Sequence, residues 1–424
     1  MRSREDREWE REREREGGRE PVIEGENIIC FAPDPWGDIW RNRHRLLGIL
    51  ARSNRIVYVE PRLGIRQLGR KLRAGEVRAG HFFRRRVEEV RPNLFVYHDP
   101  LHLPRTALGG LGPFIERARR RLLRKTLDRL GFSRPILWIV RPDGCDLPGT
   151  LGEKLVLYQI VDDYTQYAGM SPRARERLER EERLLASRAD LVLVTSDHLL
   201  ELKRGLHPRI ALVRNGVDAA TLDEGARPEG PVPREVSAAA RPVHGYVGGI
   251  TDKLDLELLG EAAAAMEASG EGTLVLVGPV NVSGGESARL IERLRASPRV
   301  VFTGPRPAGE VPSFIRGFDV CWIPYRAGDQ ARAIDPLKLY EYLAFGKPTV
   351  SIEIPSILPF EGLVRVARSR AEFLSHVREA ARENDPDLAA RRRALARENS
   401  WEDRVERISS AMETALRARE PARV

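Results

Sequence analysis

The chain has 424 residues, of which 42% are hydrophobic and 31% are charged, and its formal net charge is +9. This length predicts roughly two domains, and the apolar content excludes a wholly disordered chain. No run approaches the roughly 18 consecutive apolar residues of a membrane span, and the N-terminus lacks the apolar stretch of a signal peptide, so we expect a cytoplasmic protein.

Neither the charged N-terminal segment nor the cysteines indicate a nucleic-acid or metal partner. Arginine and glutamate alternate before Gly17 and nearly cancel each other, so residues 1–24 are predicted to be a disordered charged tail rather than an RNA-binding arm. The three cysteines, Cys30, Cys145 and Cys321, are far apart and fit neither a disulfide framework nor a metal site. We expect all three to fill core positions.

From Asn27 the chain alternates between short apolar runs and longer segments with helical spacing, which is typical of a parallel α/β fold. Strands are predicted over 27–33, 55–61, 94–100, 135–142, 154–163 and 190–196, with a helix over 44–53. The Pro-, Gly- and Ala-rich stretch 223–241 has no apolar periodicity and is interpreted as a linker. The first domain is therefore predicted to span 25–222.

A second alternating set follows the predicted linker. Strands are predicted over 244–250, 273–279, 299–304, 319–325 and 348–353, with a helix over 256–269. Two consecutive doubly wound modules with parallel sheets therefore fit in one chain, the second over 242–398. In such sheets ligands bind beyond the carboxyl ends of the strands, so function is expected in the loops after them and in a cleft between two facing modules.

Nine motifs occur in a recognisable order along the chain. They are VDDY (161–164), DLVLVTS (190–196), NGVD (215–218), GYVGGI (245–250), LVLVGP (274–279), VFTGPRP (301–307), DVCWIPY (319–325), DPLKLYEYLAFGKPTVS (335–351) and NSWEDRVERI (399–408). This series resembles the GT-B glycosyltransferases, specifically the retaining group known as glycosyl transferase group 1 or family 4. The resemblance covers about residues 27 to 410.

The resemblance implies two facing Rossmann-like domains with an interdomain cleft, and a C-terminal helix over 399–424 that crosses back to the N-terminal, acceptor-side domain. It implies a hexosyltransferase that moves a sugar from a UDP- or GDP-sugar, with retention, onto a hydroxyl of a glycan, lipid-linked or small-molecule acceptor. Polysaccharide biosynthesis is the expected setting. No cofactor and no metal are expected.

The segment from Asp335 to Glu341 is the strongest candidate for binding the donor. Asp335 is a good N-cap, and a helix that opens at Leu337 presents backbone N–H groups and a positive dipole end to a diphosphate. Lys338 can add a point charge. In the family the glutamate at the position of Glu341 binds the nucleotide ribose, although a surface ion pair between Lys338 and Glu341 is an alternative.

A second donor element is expected at the glycine turn of GYVGGI. Gly248 and Gly249 follow a predicted strand and permit close approach of the backbone to phosphate, and a helix N-terminus is expected next. Lys253 corresponds to a basic residue of the family in this loop and could equally be a solvated lysine. Arg306 is a weaker candidate.

The sequence departs from the family at Ala333, where the motif has a second glutamate eight positions before the ribose-binding one. The usual role of that glutamate at the donor sugar is therefore unassigned. Asp335 or Asp329 could substitute for it, although a capping role for Asp335 is at least as plausible.

In the first domain, the loop after the first strand combines aromatic and charged side chains. Aromatic faces stack on sugar rings and arginine clamps phosphate or carboxylate, whereas packing anchors are the alternative for the tryptophans. The candidate acceptor or donor residues of this loop are Trp36, Gly37, Asp38, Trp40, Arg41 and His44, with Arg43 beside them.

Three residues that follow other strands are candidates for catalysis. Asp162 and Asp163 can bind or polarise an acceptor hydroxyl, with a helix N-cap as the alternative for Asp163. His98 has suitable chemistry near neutral pH, and a satisfied loop histidine is as plausible. No second cluster supports a metal site at HDPLH.

Other functions remain open at this point. A GT-B-like nucleotide-sugar epimerase or hydrolase would use the same donor, and Ala333 leaves room for an inert nucleotide- or glycan-binding relative. The expected partners are a nucleotide sugar and an acceptor, with no nucleic acid. The basic loops suit peripheral association with the inner face of an anionic membrane and equally suit a soluble arginine-rich protein.

Overall fold

A computed structural model describes residues 23–37, 41–75, 77, 80, 84–103, 111–166, 170–227 and 229–419. The chain divides into two compact units. The first domain comprises 1–194, 200–213 and 405–424, and the second comprises 195–199 and 214–404.

The first domain is built on an eight-stranded sheet in the order β3-β4-β2-β1-β5-β6-β7-β8. All neighbouring strands are parallel except β3, which pairs antiparallel with β4. The strands are β1 (Asn27–Phe31), β2 (Arg55–Val59), β3 (Val87–Arg91), β4 (Leu94–Tyr97), β5 (Ile136–Ile139), β6 (Leu155–Ile160), β7 (Leu191–Val194) and β8 (Ile210–Leu212).

Helices connect most of these strands. They are α1 (Asn42–Leu50), α2 (Ile65–Arg73), α3 (Leu111–Arg129), α4 (Pro172–Arg188) and α5 (Asp197–Lys203). α4 shows why such segments begin where they do, since the Ser171 hydroxyl accepts from the N–H of Ala174 and Pro172 occupies the first turn. Every residue of β6 is buried, which places this strand in the centre of the core.

The second domain contains a six-stranded, fully parallel sheet in the order β13-β11-β9-β14-β15-β16. β10 and β12 pair in a separate two-stranded parallel sheet. The strands are β9 (Val243–Val247), β10 (Ile250–Thr251), β11 (Thr273–Val277), β12 (Val280–Asn281), β13 (Val300–Gly304), β14 (Val320–Ile323), β15 (Thr349–Ile352) and β16 (Arg365–Ala367).

The helices of the second domain cover a core in which all residues of β9, β11, β14 and β15 are buried. They are α6 (Ala219–Ala226), α7 (Arg234–Ser237), α8 (Leu256–Ser269), α9 (Gly285–Ala296), α10 (Val311–Gly317), α11 (Asp329–Arg332), α12 (Leu337–Ala344), α13 (Arg370–Ala380) and α14 (Pro386–Arg397). The last helix of the chain is α15 (Trp401–Arg419). The doubly wound order expected for each module is therefore present twice.

The segment expected to be a linker, 223–241, contains the end of α6 and all of α7, and it lies within the second domain. α6 is capped by Asp218, whose carboxylate accepts from the N–H of Thr221, and it contacts α12 and α14. The C-terminal helix starts with Trp401, which is buried in the second domain, and from Val405 it groups with the first domain.

The cysteines differ from the expectation at one position. Cys30 and Cys321 are fully buried, whereas Cys145 is only half-buried beside the 3-10 turn Pro142–Gly144. Cys145 is therefore not a core residue. Among the described residues, no helix is both long and apolar enough to cross a membrane.

Candidate functional site

The strand order determines where a ligand can bind in the second domain. From β9 the chain winds outwards through β11 and β13, and from β14 it winds the other way through β15 and β16. The reversal between β9 and β14 leaves a crevice beyond the carboxyl ends of these two strands. The turn after β9 and the residues after β14 are the ones that border it.

The turn after β9 depends on glycine. Gly248 has a φ of +130° and Gly278, after β11, has a φ of +142°. A Cβ atom on Gly278 would lie 2.1 Å from the carbonyl oxygen of Gly248, so the two turns touch through bare backbone. The Tyr246 hydroxyl donates to the carbonyl oxygen of Gly249 at 3.0 Å, and this hydrogen bond stabilises the turn.

Lys338, in the first turn of α12, points at this glycine turn. A Cβ atom on Gly248 would lie only 3.4 Å from its Nζ. The ammonium donates to the Tyr325 hydroxyl at 2.6 Å and lies 4.8 Å from the ring centroids of both Tyr246 and Tyr325. The structure thus brings together Gly248, Gly249 and Lys338, which the sequence analysis placed in one site.

Lys338 stays charged although its ammonium is buried. Burial by itself disfavours the charged form, but the two neighbouring tyrosines outweigh burial and raise the pKa of Lys338 above its usual value. Burial raises the pKa of Tyr246 to about 12, so this phenol is neutral at pH 7. The site therefore holds a lysine cation beside the neutral phenol of Tyr246, which suits an anionic ligand.

Asp335 does not cap α12, and this corrects the expectation from the sequence. The N-cap residue is Pro336, and no side chain of a described residue caps the helix. The Asp335 carboxylate instead accepts from the N–H of Asn215 at 2.6 Å and from the Tyr340 hydroxyl at 3.0 Å. Burial raises the pKa of Asp335 to about 6. The side chain of Asp335 therefore accepts hydrogen bonds from other residues of the second domain.

α12 begins at Leu337, as expected, so the N-terminal end of its dipole lies beside Lys338. Glu341 is half-buried one turn further along the same helix. The ammonium of Lys338 donates to the Tyr325 hydroxyl at 2.6 Å.

No helix follows Gly249 directly, which corrects a second expectation. The chain enters β10 and a turn that carries Lys253, and α8 begins only at Leu256. Its N-terminus is capped by Asp255, which accepts from the N–H of Leu258 and also pairs with Arg370 at 2.8 Å. This helix end is therefore capped by a protein side chain.

The remaining positions considered for donor binding are Ala333, its possible substitutes Asp335 and Asp329, and Arg306. Ala333 is fully buried, and its carbonyl oxygen accepts from the Ser196 hydroxyl at 3.0 Å. Asp335 is engaged as described above and does not replace a glutamate at this position, while the side chain of Asp329 is outside the described set. Arg306 pairs with Glu235 and lies over the ring of Phe314, so its charge is already compensated.

In the first domain, Trp36 and His44 belong to one aromatic cluster with Tyr58. Trp36 lies 5.2 Å from the His44 ring and 5.1 Å from the Tyr58 ring. His44 is fully buried within α1, accepts at Nδ1 from the N–H of Arg41, and has a pKa lowered to about 4 by burial and by Arg43. His44 is therefore a neutral, buried ring that packs against Trp36 and Tyr58.

The rest of this loop is only partly described. Arg41 and the fully buried Arg43 both pair with Asp34, which lies just after β1. Gly37 is exposed. Asp38 and Trp40 lie outside the described residues.

The acidic pair after β6 separates into two roles. The Asp163 carboxylate accepts from the N–H of Thr165 at 3.2 Å and from its hydroxyl at 2.6 Å, so it caps the 3-10 turn Tyr164–Gln166. This matches the capping alternative. Asp162 and Arg43 both act electrostatically on the buried phenol of Tyr164, whose pKa burial raises to about 12. Asp162 is thus the better candidate for contact with a substrate.

His98, after β4, is held by a glutamate that the sequence analysis did not select. Its Nδ1 lies 2.8 Å from Oε2 of Glu60, which directly follows β2. The other oxygen of Glu60 accepts from the N–H of Trp36 at 3.1 Å. His98 is therefore hydrogen-bonded by its neighbours and is half-buried at the carboxyl edge of the sheet.

Three residues of the candidate sites were missed from the sequence. Tyr246 and Tyr325 occur within motifs that we interpreted as strand material, and their role as partners of Lys338 depends on strand order. Glu60 follows a buried strand directly, as Asp162 does, so the same rule could have found it. Among the described residues there is no group of three or more His, Cys, Asp or Glu side chains that could hold a metal ion.

Comparisons with known proteins agree with this architecture. Residues 241–381 match the family model of the glycosyl transferases group 1. A glycosyltransferase assigned to teichuronic acid biosynthesis in Bacillus subtilis (strain 168) is 32% identical over 186 residues. That alignment covers 43% of this chain and 45% of the Bacillus protein, so the chain spans less than half of this relative.

Solved structures resemble the chain over almost its whole length. Sucrose-phosphate synthase from Thermosynechococcus elongatus has a TM-score of 0.66 at 16% identity and covers 93% of this chain and 100% of that one. Anabaena HepE in complex with UDP and glucose has a TM-score of 0.61 at 13% identity, covering 91% and 99%. Residues 241–381 thus resemble the group 1 glycosyltransferases, and both domains share the fold of these solved structures.

Proposed function

We propose that this protein transfers a sugar from a nucleotide-sugar donor to a hydroxyl of an acceptor. The group 1 match and the Bacillus relative support a glycosyltransferase. The Anabaena structure, which contains UDP and glucose, supports a nucleoside diphosphate as the leaving group.

The observation that carries the proposal is the environment of Lys338. Its cation is fixed between two phenol rings, lies beside a turn of bare glycine backbone, and is next to the N-terminus of α12. Such a site stabilises negative charge that builds on a diphosphate as the bond to the sugar breaks. Because its donors are already in place, little reorganisation is needed during the reaction.

The finer parts of the proposal follow from the family resemblance. Transfer with retention needs no protein nucleophile, and Lys338 together with the backbone N–H groups does the electrostatic work that a divalent ion does in other enzymes. Glu341 binds the ribose, and Asp162 and His98 are the candidates for contact with substrate hydroxyls. A glycan or a lipid-linked sugar in polysaccharide biosynthesis is the proposed acceptor.

The test is a binding screen that compares the wild type with Lys338→Met. UDP, GDP, TDP and ADP and their sugars are assayed by thermal shift, and the best ligand is then measured by calorimetry. Lys338→Met should weaken its binding by about 1 to 3 kcal/mol, the range for a charged hydrogen bond. Arg378→Met, which removes an exposed cation from α13 in the same domain, is the matched control and should leave binding unchanged.

Turnover is then measured as release of nucleoside diphosphate from the bound donor, with monosaccharides, sugar phosphates and lipid-linked sugars as acceptors. Sugar transfer is the expected result. Binding of nucleotide without any turnover would favour an inert relative, and a wild type that no nucleotide stabilises would contradict the proposal. Product analysis separates transfer from epimerisation or hydrolysis of the donor.

A further inference from the structure

Glu60 occupies a central position among the loops of the first domain. The sheet order places β2 between β4 and β1. Trp36, Glu60 and His98 follow the carboxyl ends of β1, β2 and β4, respectively. Three adjacent strands thus deliver three residues to one edge, with the glutamate in the middle.

One carboxylate fixes both neighbouring loops. Oε1 of Glu60 accepts from the backbone N–H of Trp36 at 3.1 Å, and Oε2 lies 2.8 Å from Nδ1 of His98. The Glu60 side chain is 19% exposed, so water screens these contacts only in part. A shift of the carboxylate would release the loop after β1 and the ring of His98 together.

This contact determines which ring nitrogen of His98 is left without a hydrogen bond. A carboxylate accepts hydrogen bonds and does not donate them, so Nδ1 of His98 carries a proton. Nε2 is buried and has no hydrogen-bond partner among the described residues. The carboxylate of Glu88 is 3.6 Å from Nε2, is about half exposed, and accepts from Arg84 at 3.1 Å. Nε2 is therefore the ring atom that remains for a ligand.

We propose that Glu60 is a positioning residue for the transfer reaction. It acts through His98, whose Nε2 it directs towards a substrate hydroxyl, and it fixes the backbone at Trp36 in the same geometry. The proposal rests on the function proposed above. Glu60 itself contacts no substrate, and no proton transfer is required of it.

A double-mutant cycle tests the role of Glu60. Glu60→Gln keeps the shape and an oxygen that can accept from Trp36, but it places an amide NH2 beside Nδ1 of His98, so this contact survives only if the ring proton moves to Nε2. We expect kcat/KM for release of nucleoside diphosphate to fall by about 10- to 100-fold, while nucleotide affinity, which depends on the second domain, stays within about twofold. In a His98→Ala background, Glu60→Gln should have almost no further effect.

The matched control is Glu89→Gln, which changes an exposed carboxylate on the same strand as Glu88 and should retain wild-type kinetics. Nitrogen NMR of the His98 ring supplies a readout besides activity. A protonated Nδ1 is expected in the wild type, with a changed ring signature in Glu60→Gln at unchanged Tm.

The two proposals fail in different ways. A wild type that neither binds a nucleotide nor turns over a donor would end both. If the wild type is active but Glu60→Gln behaves like it, or if the Glu60 and His98 effects simply add, only the positioning role is overturned. A wild-type His98 protonated at Nε2 alone would also overturn it.

Discussion

At the scale of single residues, burial acts on Asp335 and Lys338 in the same domain with different results. Lys338 stays charged because phenol groups solvate it. Asp335 has two hydrogen-bond donors, from Asn215 and Tyr340, yet burial still raises its pKa to about 6. The first residue serves a ligand, whereas the second joins segments of the domain that are 120 positions apart in sequence.

The raised pKa of Asp335 predicts a stability change with pH. Between its ordinary value of 3.8 and about 6, the native protein holds a proton that the unfolded chain releases. The free energy of unfolding should therefore fall as pH rises through this window, by about 3 kcal/mol in total, and stay level above it. Asp335→Asn should lose this dependence. Urea unfolding of both proteins at pH 4, 5, 6 and 7 measures it, and a constant difference between them would contradict the assignment.

The sequence supported some residue roles and not others, for a physical reason. Residue type and position after a strand were enough to select Gly248 and His98, and a predicted helix start at Leu337 was enough to select Lys338. They could not show that the carboxylate of Asp335 turns inwards to Asn215, because that partner comes from a remote segment. His44 likewise looked like a ligand residue, and only packing against Trp36 revealed it as a buried, neutral ring.

At the scale of elements, the glycine turns beside Lys338 should tolerate substitution very differently from glycine in a helix. In Gly278→Ala the new Cβ would lie 2.1 Å from the Gly248 oxygen at a φ of +142°, so we expect a loss of at least about 1 to 3 kcal/mol in stability and weaker nucleotide binding. Gly260→Ala in α8 meets nothing within 4 Å and should stabilise the domain by about 0.5 to 1 kcal/mol.

Thermal or chemical unfolding of the two variants, with nucleotide titration of each, tests this pair. We expect the change from glycine to alanine to lower the free energy of unfolding at Gly278 and to raise it at Gly260. Equal effects on stability would show that the close contact of the two turns does not exist in solution.

Elements were predictable where they are buried and missed where they are not. The apolar runs of β1, β6, β11 and β14 were found in place. β3 was missed because its sequence, VEEVR, has no fully buried residue on this antiparallel edge strand and carries no apolar run. α8 lies where the sequence predicted it, but β10, which separates it from Gly249, was missed because the pairing of β10 with β12 is not visible in local periodicity.

At the scale of the whole molecule, each domain has its own sheet and its own core. We therefore expect thermal unfolding that departs from a single two-state transition, with a calorimetric enthalpy larger than the van't Hoff enthalpy. A bound nucleoside diphosphate should raise the transition of the second domain, which contains Lys338, more than that of the first. Differential scanning calorimetry, with hydrogen exchange to assign each transition, measures this.

Lys338→Met provides the control for that experiment, because it should remove the ligand-dependent shift without merging the transitions. A single transition with equal enthalpies would show instead that the domains unfold as one unit. The doubly wound fold of both domains followed from the alternating sequence pattern. The division of the chain at 213–214 did not, since 223–241 resembles a linker in composition but forms helices that pack in the second domain.

The two tyrosines around Lys338 have a consequence for observing the protein. A phenol whose hydroxyl is bonded to an ammonium absorbs near-ultraviolet light at a slightly different wavelength from one that is released. An anion bound beside Lys338 would change the surroundings of the Tyr246 and Tyr325 rings together, because the cation lies against both. Ligand binding should therefore produce a tyrosine difference spectrum. Occupancy of the site could then be measured by absorbance without a dye or a label.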